Sequence, residues 1–339
     1  MTRLAIRDFE SKDLPASAAL LAARQKRDRA RLPVLSAALE SVDACEGLLA
    51  SLLQNTRSSG VVSLAEGVVN GFLFGEKMTL APTEFASMFF APHSISMPGY
   101  GHAVADGSDA IEVYRALYAE LAGRWVRNGF FVHMTHITPG DAATQEAWVA
   151  LGFGRGNTCA VRDTAPVEDA VATNIEIHQA GPEDLSVVMA LNDSLYMYHS
   201  QSPIFWPFLQ EPQPAEREYQ RSILSDSANA HFIAYDGGRP IGMQTFMRPG
   251  FIPETVEPGG NVYLYQGVVE TDVRGGGVGT ALLAHSMEWA RAQGDQMCTL
   301  HFASANPSGA PFWLGHGFVP AEYAMIRHVD ERVAWASPR

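Results

Sequence analysis

Apolar and polar positions in the second half of the chain change their period several times. Two apolar runs, 230–235 and 240–247, flank a polar turn at 236–239 and predict a β-hairpin. A longer apolar run at 261–269 predicts a strand, and residues 279–293 then repeat at the helical period. Their apolar stripe consists of Leu282, Leu283, Met287 and Ala290. The pattern therefore predicts a strand that leads through a short loop into an amphipathic helix.

The same pattern extends over the rest of this half. It predicts further strands at 174–178, 296–302 and 323–329 and helices at 182–195, 214–224 and 307–316. Together these elements give the order β-α-α-β-β-β-α-β-α-β. The first half follows the same order, with a long helix predicted at 110–127.

The two halves of the chain repeat each other. Three features recur at one offset of 165 residues: His136 with His301, Trp148 with Trp313, and Gly152-Phe153 with Gly317-Phe318. Such a match predicts two copies of one fold. The polar, proline-containing stretch around Pro166 lacks periodicity. We therefore expect domains at 1–163 and 174–339, joined by a linker at 164–173.

The loop between the long strand and the amphipathic helix is rich in glycine. It consists of Arg274, Gly275, Gly276, Gly277, Val278, Gly279 and Thr280. A helix N-terminus offers unpaired N–H donors and the positive end of the helix dipole. Glycines let an anion approach the backbone, and Arg274 adds a fixed cation. We therefore expect these seven residues to bind a phosphate group.

Three kinds of phosphate-binding loop compete for this segment. The ATPase loop requires a Lys before its Ser or Thr, and Gly279-Thr280 lacks that Lys. The dinucleotide fingerprint Gly-x-Gly-x-x-Gly does not match cleanly. The pattern Arg-x-x-Gly-x-Gly fits Arg274, Gly277 and Gly279. It resembles the coenzyme A pyrophosphate loop of the GNAT N-acetyltransferase superfamily.

The resemblance to the GNAT superfamily carries expectations for the whole chain. It implies an α/β (α+β) fold class with two tandem GNAT-like domains, each a mixed, mostly antiparallel sheet flanked by helices. It also implies acetyl-CoA as co-substrate, no metal, and direct attack of a primary amine within a ternary complex. Val268, Val269 and Asn306 would contact the cofactor. The family often has a Tyr seven residues after this Asn; here Trp313 replaces it, and we expect a cofactor neighbour rather than an acid.

The first copy differs from the second at the glycine loop. At the offset of 165, Asp109, Glu112 and Tyr114 replace the loop's Arg and two of its glycines. Two carboxylates would repel a diphosphate, and the side chains would fill the space that glycines leave open. We therefore expect the first copy to keep the fold and to have lost the cofactor site.

Several further side chains are candidates for catalysis and substrate binding. Glu270 directly follows the long strand, where it could act as general base or remain a solvated loop carboxylate. The aromatic stretch 194–208 suits an apolar or cationic ligand, although burial against the first half explains it equally well. The candidates for substrate contact are Tyr198, Phe205, Trp206, Tyr265 and His301.

Composition limits the classes of function. The formal charge of −13 disfavours nucleic acid as a partner and fits either a cationic amine or plain solubility. No apolar run reaches the roughly 20 residues of a membrane helix, and the N-terminus has no apolar signal segment. Three scattered cysteines indicate a reduced, cytoplasmic setting. The expected partner is a small-molecule amine, and a homo-oligomer stays open. The alternative function is a non-catalytic sensor or interaction protein that binds CoA or acyl-CoA.

Overall fold

The two halves of the chain build one continuous sheet in the computed structural model, which describes residues 4–168, 175–248 and 250–335. The elements of the first half are β1 (Ala5–Asp8), α1 (Leu14–Arg29), α2 (Val42–Gln54), β2 (Ser58–Ala65), β3 (Val68–Thr79), β4 (His93–Met97), β5 (His102–Val104), α3 (Ala110–Arg127), β6 (Val132–Ile137), α4 (Ala142–Ala150) and β7 (Gly154–Asp163). Those of the second half are β8 (Glu176–Gln179), α5 (Leu185–His199), α6 (Gln213–Ser225), β9 (Ala230–Asp236), β10 (Arg239–Met247), β11 (Asn261–Val269), α7 (Val278–Ala292), β12 (Met297–Ala303), α8 (Gly309–Gly315) and β13 (Val319–His328). The second half has the predicted order. The first half departs from it because β4 and β5 together replace one strand.

Each half contributes its last strand to the sheet of the other half. Along the sheet the strands run β1-β2-β3-β4-β6-β13-β7-β12-β11-β10-β9-β8, and β5 pairs with β3. The pairs β4–β6 and β11–β12 are parallel, and the other described pairs are antiparallel. The predicted fold class of a mixed, mostly antiparallel sheet flanked by helices is confirmed. The exchange of β7 and β13 between the halves is a feature that the sequence pattern did not predict.

A local two-fold relation connects the halves at this exchange. In the β7–β13 pair, Thr158 faces Tyr323, and these two residues correspond at the offset of 165. The neighbouring pairs show the same symmetry. Cys159 corresponds to Ala324 and Glu322 corresponds to Asn157, so the pair Cys159–Glu322 is equivalent to the pair Asn157–Ala324. The repeat inferred from histidine, tryptophan and Gly-Phe positions therefore also describes how the central strands are arranged in space.

Apolar helix faces cover the sheet. The four side chains of the predicted α7 stripe are all fully buried: Leu282, Leu283, Met287 and Ala290. They share a core cluster with Phe232 of β9 and Phe246 of β10. In the first half, Trp125 of α3 and Trp148 of α4 are equally buried in a second cluster. Burial of apolar surface, which contributes roughly 25 cal/mol per Å², stabilises the packing of α7, α3 and α4 against the sheet.

The predicted boundary between the copies lies just after β7. That strand ends at Asp163 and β8 begins at Glu176. Residues 169–173 of the predicted linker, and residue 174 of the predicted first strand, lie outside the described residues. Thr164 is buried, and its backbone N–H donates to the Gln296 carbonyl of the second half at 3.0 Å. The division into domains 1–163 and 174–339 stays a prediction.

Candidate functional site

A cleft opens where β11 and β12 separate. The two strands pair in parallel only as far as Leu264 and Leu300. Tyr265 is an extra residue in the pairing of β11 with β10, and a bulge of this kind bends a strand. Within the described residues, β11 has no further pairing with β12, and a cavity of about 430 Å³ lies there. The bulge thus leaves one edge of β11 free for a ligand.

The glycine loop borders this cavity. Gly275 and Gly277 have φ of 80° and 84°, a left-handed conformation that glycine adopts without strain. Gly277 directly precedes α7, a helix of 15 residues. In the described part of the chain, no acceptor bonds the backbone N–H of Gly275, Gly277, Val278, Gly279 or Thr280. The loop therefore offers five free donors at the positive end of a helix dipole.

Six of the seven predicted loop residues line the cavity, and Gly276 does not. Arg274 lies along the cavity wall, where its Nε donates to the Val269 carbonyl at 2.9 Å. Its guanidinium carbon lies 4.2 Å from the centre of the Tyr198 ring. The two terminal nitrogens of Arg274 have no hydrogen-bond partner among the described residues. They remain able to bind an anion.

The other predicted cofactor contacts, Val268, Val269, Asn306 and Trp313, also line the cavity. The Asn306 side chain accepts from the backbone N–H of Gly309 at 2.8 Å and thereby caps the start of α8. Trp313 is only 8% exposed. It packs on Gly267, where an added Cβ would lie 3.1 Å from the indole ring. Trp313 is therefore part of the core as well as part of the wall.

The last turn of α5 forms the opposite wall. The Tyr198 hydroxyl lies 2.7 Å from the Ser308 Oγ and 3.4 Å from the Asn306 Oδ1. His199, which sequence reasoning missed, lines the cavity beside it. Burial, aided by the charge of Arg274, lowers the pKa of His199 to about 4, so the imidazole is neutral at pH 7. The sequence pattern predicts that this helix ends at 195, and the extra turn brings both side chains to the cavity.

Two of the predicted substrate contacts lie away from the cavity. Phe205 is 69% exposed, and Trp206 packs edge-on against His199 with 5.4 Å between ring centres. Neither is among the described residues that line this cavity. Tyr265 does line it, and its buried hydroxyl has no hydrogen-bond partner in the described part of the chain.

Glu270, the carboxylate predicted as general base, forms its hydrogen bonds outside the cavity. The Ser194 hydroxyl donates to Glu270 Oε1 at 2.9 Å, and the Glu270 backbone N–H donates to the Ile241 carbonyl at 2.9 Å. Glu270 is not among the described residues that line the cavity. Its role as a base stays a prediction, and this placement gives it no support.

His301 lies between the first cavity and a second one. It lines both, and the second cavity measures about 290 Å³. Its Nδ1 is 2.8 Å from the Tyr263 hydroxyl, and burial lowers the pKa of His301 to about 4. The second cavity is lined by residues of both halves, including His136 and Glu322. Sequence reasoning missed Glu322, because the imidazole that it contacts, that of His136, comes from the other half.

The corresponding cleft of the first half is filled by side chains. His102 and Tyr114 replace Gly267 and Gly279 at the offset of 165, and both are fully buried. His102 Nε2 donates to the carbonyl of His136 at 2.9 Å, so its Nδ1 accepts from the Tyr114 hydroxyl at 2.8 Å. Burial lowers the pKa of His102 to about 3, which keeps the ring neutral. The imidazole thus bridges β5 and β6 where the second half has a cavity.

The helix that follows this filled cleft is capped by the chain itself. The carboxylate of Asp109 accepts from the Glu112 backbone N–H at 3.2 Å, at the start of α3. A helix N-terminus that already binds its own carboxylate offers less to an external anion. The start of α3 is thus capped by its own chain, whereas the start of α7 in the second half has free N–H donors.

Known proteins resemble this chain in part of its sequence and in its fold. Residues 194–318 match the model of the acetyltransferase (GNAT) family. A GCN5-related N-acetyltransferase from Sphaerobacter thermophilus has a TM-score of 0.56 at 14% identity, over 96% of this chain and 95% of its own. A tandem GNAT protein from the clavulanic acid biosynthesis pathway has a TM-score of 0.51 at 16% identity, over 99% of this chain and 100% of its own. Both share the fold of the whole chain. No curated protein sequence matches it.

Metal-binding clusters and membrane-spanning helices are absent from the described part of the chain. Within residues 4–168, 175–248 and 250–335, no group of three or more His, Cys, Asp or Glu side chains is placed to hold a metal ion. Among the helices of these residues, none combines the length and the apolar character needed to cross a membrane.

Proposed function

We propose that this chain, whose residues 194–318 match the GNAT family, transfers an acetyl group from acetyl-CoA to the primary amine of a small molecule. The observation that carries the proposal is the set of five free backbone N–H groups, those of Gly275, Gly277, Val278, Gly279 and Thr280, beside a cavity of about 430 Å³. Free amides at a helix N-terminus bind phosphate groups, and the cavity has the size of a small-molecule site.

The residues around the cavity fit the parts of the cofactor. The glycine loop would hold the diphosphate, since nothing lies within 4 Å of the place that a Cβ at Gly275 would take. Arg274 would add its free terminal nitrogens to that contact. The unpaired edge of β11 at Val268 and Val269, together with Asn306, would orient the pantetheine arm. When bound, acetyl-CoA supplies the activated acetyl group.

Tyr198 is the proposed proton donor. Tyr198 lines the cavity, and its hydroxyl lies 2.7 Å from the Oγ of Ser308, another lining residue. Trp313, at the position where the family often has a Tyr, offers only an indole N–H, which is far too weak an acid. A phenol at the end of α5 would thus provide what α8 lacks. As the amine nitrogen bonds to the acetyl carbon and the C–S bond breaks, Tyr198 Oη would give its proton to the CoA sulfur, and the proton lost by the amine would pass to solvent.

One cofactor per chain is the proposed stoichiometry. The first half has His102 and Tyr114 in the place of the cleft and Asp109 at the helix start. Opening that cleft would leave two buried polar side chains without partners, at a cost of about 1–3 kcal/mol each. The role left for the first half is to shape the surroundings of the second.

Release of free thiol from acetyl-CoA tests the proposal. We expect the protein to release CoA thiol faster with at least one primary amine from a panel of polyamines, amino sugars, amino acids and aromatic amines. The matched control for each amine is its N-acetylated form, which has no nucleophilic nitrogen and should give only the background rate.

A second candidate function for the same site is binding of acyl-CoA without turnover. The replacement of the usual Tyr by Trp313 is the observation that favours it. Calorimetric binding of CoA without thiol release for any amine would support this sensor and contradict the transferase. Absence of any CoA binding would contradict both.

A further inference from the structure

A second cavity of about 290 Å³ lies between the two halves of the chain. The first half lines it with Phe90, Ser96, Pro98, Gly99 and His136. The second half lines it with Phe251, Ile252, Pro253, Glu254, Thr255, His301 and Glu322. Its size is near the lower end of the range for small-molecule sites. Neither half would enclose this space alone.

The exchanged strand β13 brings a carboxylate into this cavity. Glu322 is 5% exposed, and its Oε1 lies 2.8 Å from the Nδ1 of His136 on β6. Its Oε2 accepts from the Thr255 hydroxyl at 2.9 Å. Gly99 lies so close that an added Cβ would sit 2.6 Å from Oε2. Since a carboxylate has about four acceptor positions, Glu322 can still accept a hydrogen bond from a ligand.

The charges around the cavity favour a cation. Burial works against the ionised Glu322, but His136 and the hydrogen bonds outweigh it, so the pKa of Glu322 is lowered. Burial likewise opposes the protonated His136, yet the Glu322 carboxylate raises its pKa overall. Glu254, an exposed residue, lines the same cavity. The lining includes no Lys or Arg within the described residues, so the carboxylates outnumber the cations even with His136 protonated.

Two aromatic rings give the cavity an apolar side. Phe90 is 36% exposed and Phe251 is 50% exposed, so both rings leave apolar surface open to a ligand. Phe251 packs edge-on against Tyr263 with 5.6 Å between ring centres. Aromatic faces attract cations as well as apolar groups, so these rings complement the carboxylates.

The second cavity adjoins the one proposed for the cofactor. His301 lines both, and no other residue is shared between the two described linings. Across the sheet, His301 faces Cys159 of β7, which in turn faces Glu322 of β13. Two strand spacings of about 4.8 Å therefore separate the backbones that carry His301 and Glu322. A small molecule can span this distance.

We propose that the cavity between the halves binds the acceptor of the acetyl group, a small cationic amine with an apolar part, and that Glu322 recognises its positive charge. The inference rests on the proposed acetyl transfer and adds the place and chemical class of the acceptor. It also gives the first half a function, because His136 and the wall around Ser96 come from that half.

Site-directed labelling tests the inference before any acceptor is known. Ser96→Cys places a thiol in the cavity, and Ser227→Cys places one on an exposed loop beside Asp226. Both variants are treated with 2-(trimethylammonium)ethyl methanethiosulfonate, which is cationic, and with the anionic 2-sulfonatoethyl reagent. The native Cys45, Cys159 and Cys298 are buried, so wild-type protein gives the background.

We expect the ratio of cationic to anionic labelling rates to be at least about tenfold higher at position 96 than at position 227. Glu322→Gln in the Ser96→Cys background should lower that ratio several-fold. Labelling at position 96 should abolish amine-dependent thiol release and leave the affinity for CoA unchanged. Equal ratios at the two positions, or full turnover after labelling at position 96, would overturn the inference.

The two proposals fail in different ways. If the wild-type protein neither binds CoA nor releases thiol, the proposed function is wrong, and the labelling ratio still reports on the cavity. If CoA binds and thiol is released while labelling at position 96 changes nothing, the transferase stands and the acceptor site is elsewhere. CoA affinity of the Ser96→Cys protein before labelling shows that the variant is folded.

Discussion

At the scale of single residues, four positions separate an open cleft from a filled one. Gly267 and Gly279 leave room in the second half, where Trp313 lies against the former. His102 and Tyr114 occupy the same positions in the first half and satisfy each other's polar atoms at 2.8 Å. Two side-chain differences at corresponding positions thus explain why one copy has a cavity and the other has a core.

Tyr198 and Glu270 are the two side chains that decide the assignment of proton transfer. We expect Tyr198→Phe to lower kcat at least about tenfold, because it removes the hydroxyl proposed to protonate the CoA sulfur. The KM for acetyl-CoA should change less than about threefold, since Phe keeps the ring beneath Arg274. Glu270→Gln should change kcat less than about twofold, because its carboxylate contacts Ser194 outside the lining. Steady-state kinetics at saturating amine measures all three.

The opposite pattern would contradict this assignment. A large loss in Glu270→Gln with a normal Tyr198→Phe would restore the carboxylate as the base predicted from the sequence. It would also place the proton donor at a residue other than Tyr198.

The sequence could reveal the residues that act through the backbone. The glycine loop from Arg274 to Thr280 stands out because glycine spacing at a strand–helix junction has a direct physical meaning. Glu322 and His199 give no such signal, since each gains its position from contacts with distant parts of the chain. The aromatic character of Phe205 and Trp206 predicts packing against a ligand or another part of the protein, but it does not show whether they line the cavity.

At the scale of elements, the hydrophobic period of the sequence predicts that a helix or strand exists better than it predicts where that element begins and ends. The helix α3 and the strand β11 occupy the bounds expected from the sequence. In contrast, α5 runs four residues past its predicted end, because its Tyr-Met-Tyr-His turn contains no helix breaker. The strand β13 begins at Val319, earlier than predicted. Pro320 lies there beside a shift of register, a position where strands tolerate proline.

The exchange of β7 and β13 could not be predicted from the sequence. Alternation of apolar and polar residues fixes which face of a strand is buried, but it does not name the neighbouring strand. Both last strands have the same pattern because the halves repeat each other. Only the assembled sheet shows that Glu322 stands beside His136.

At the scale of the whole molecule, the sheet joins the halves into one structural unit. The central strands β13, β7 and β12 alternate between the two copies. Separation of the halves would break the β6–β13, β13–β7 and β7–β12 ladders and would leave the edges of β6 and β12 unpaired. The first half is thus tied to the second by backbone hydrogen bonds as well as by side chains.

This arrangement predicts cooperative unfolding. We expect the full chain to unfold by heat in one calorimetric transition, with a van't Hoff enthalpy close to the calorimetric enthalpy. Two separate transitions would show that the copies fold independently. In that case the exchanged strands would not couple the halves energetically.

The proposed function depends above all on binding of the CoA diphosphate by the glycine loop. Calorimetric titration of CoA into the full chain, and into Gly276→Asp and Gly276→Asn, tests this contact most directly. Gly276 has no left-handed φ, and both substitutions meet the same contact with the Val273 carbonyl. The two variants therefore differ in charge alone.

We predict one CoA per wild-type chain and binding at least about tenfold weaker for Gly276→Asp than for Gly276→Asn, because the added carboxylate repels the diphosphate. Equal affinities of the two variants, or no CoA binding by the wild-type protein, would contradict the proposal that the glycine loop binds the diphosphate.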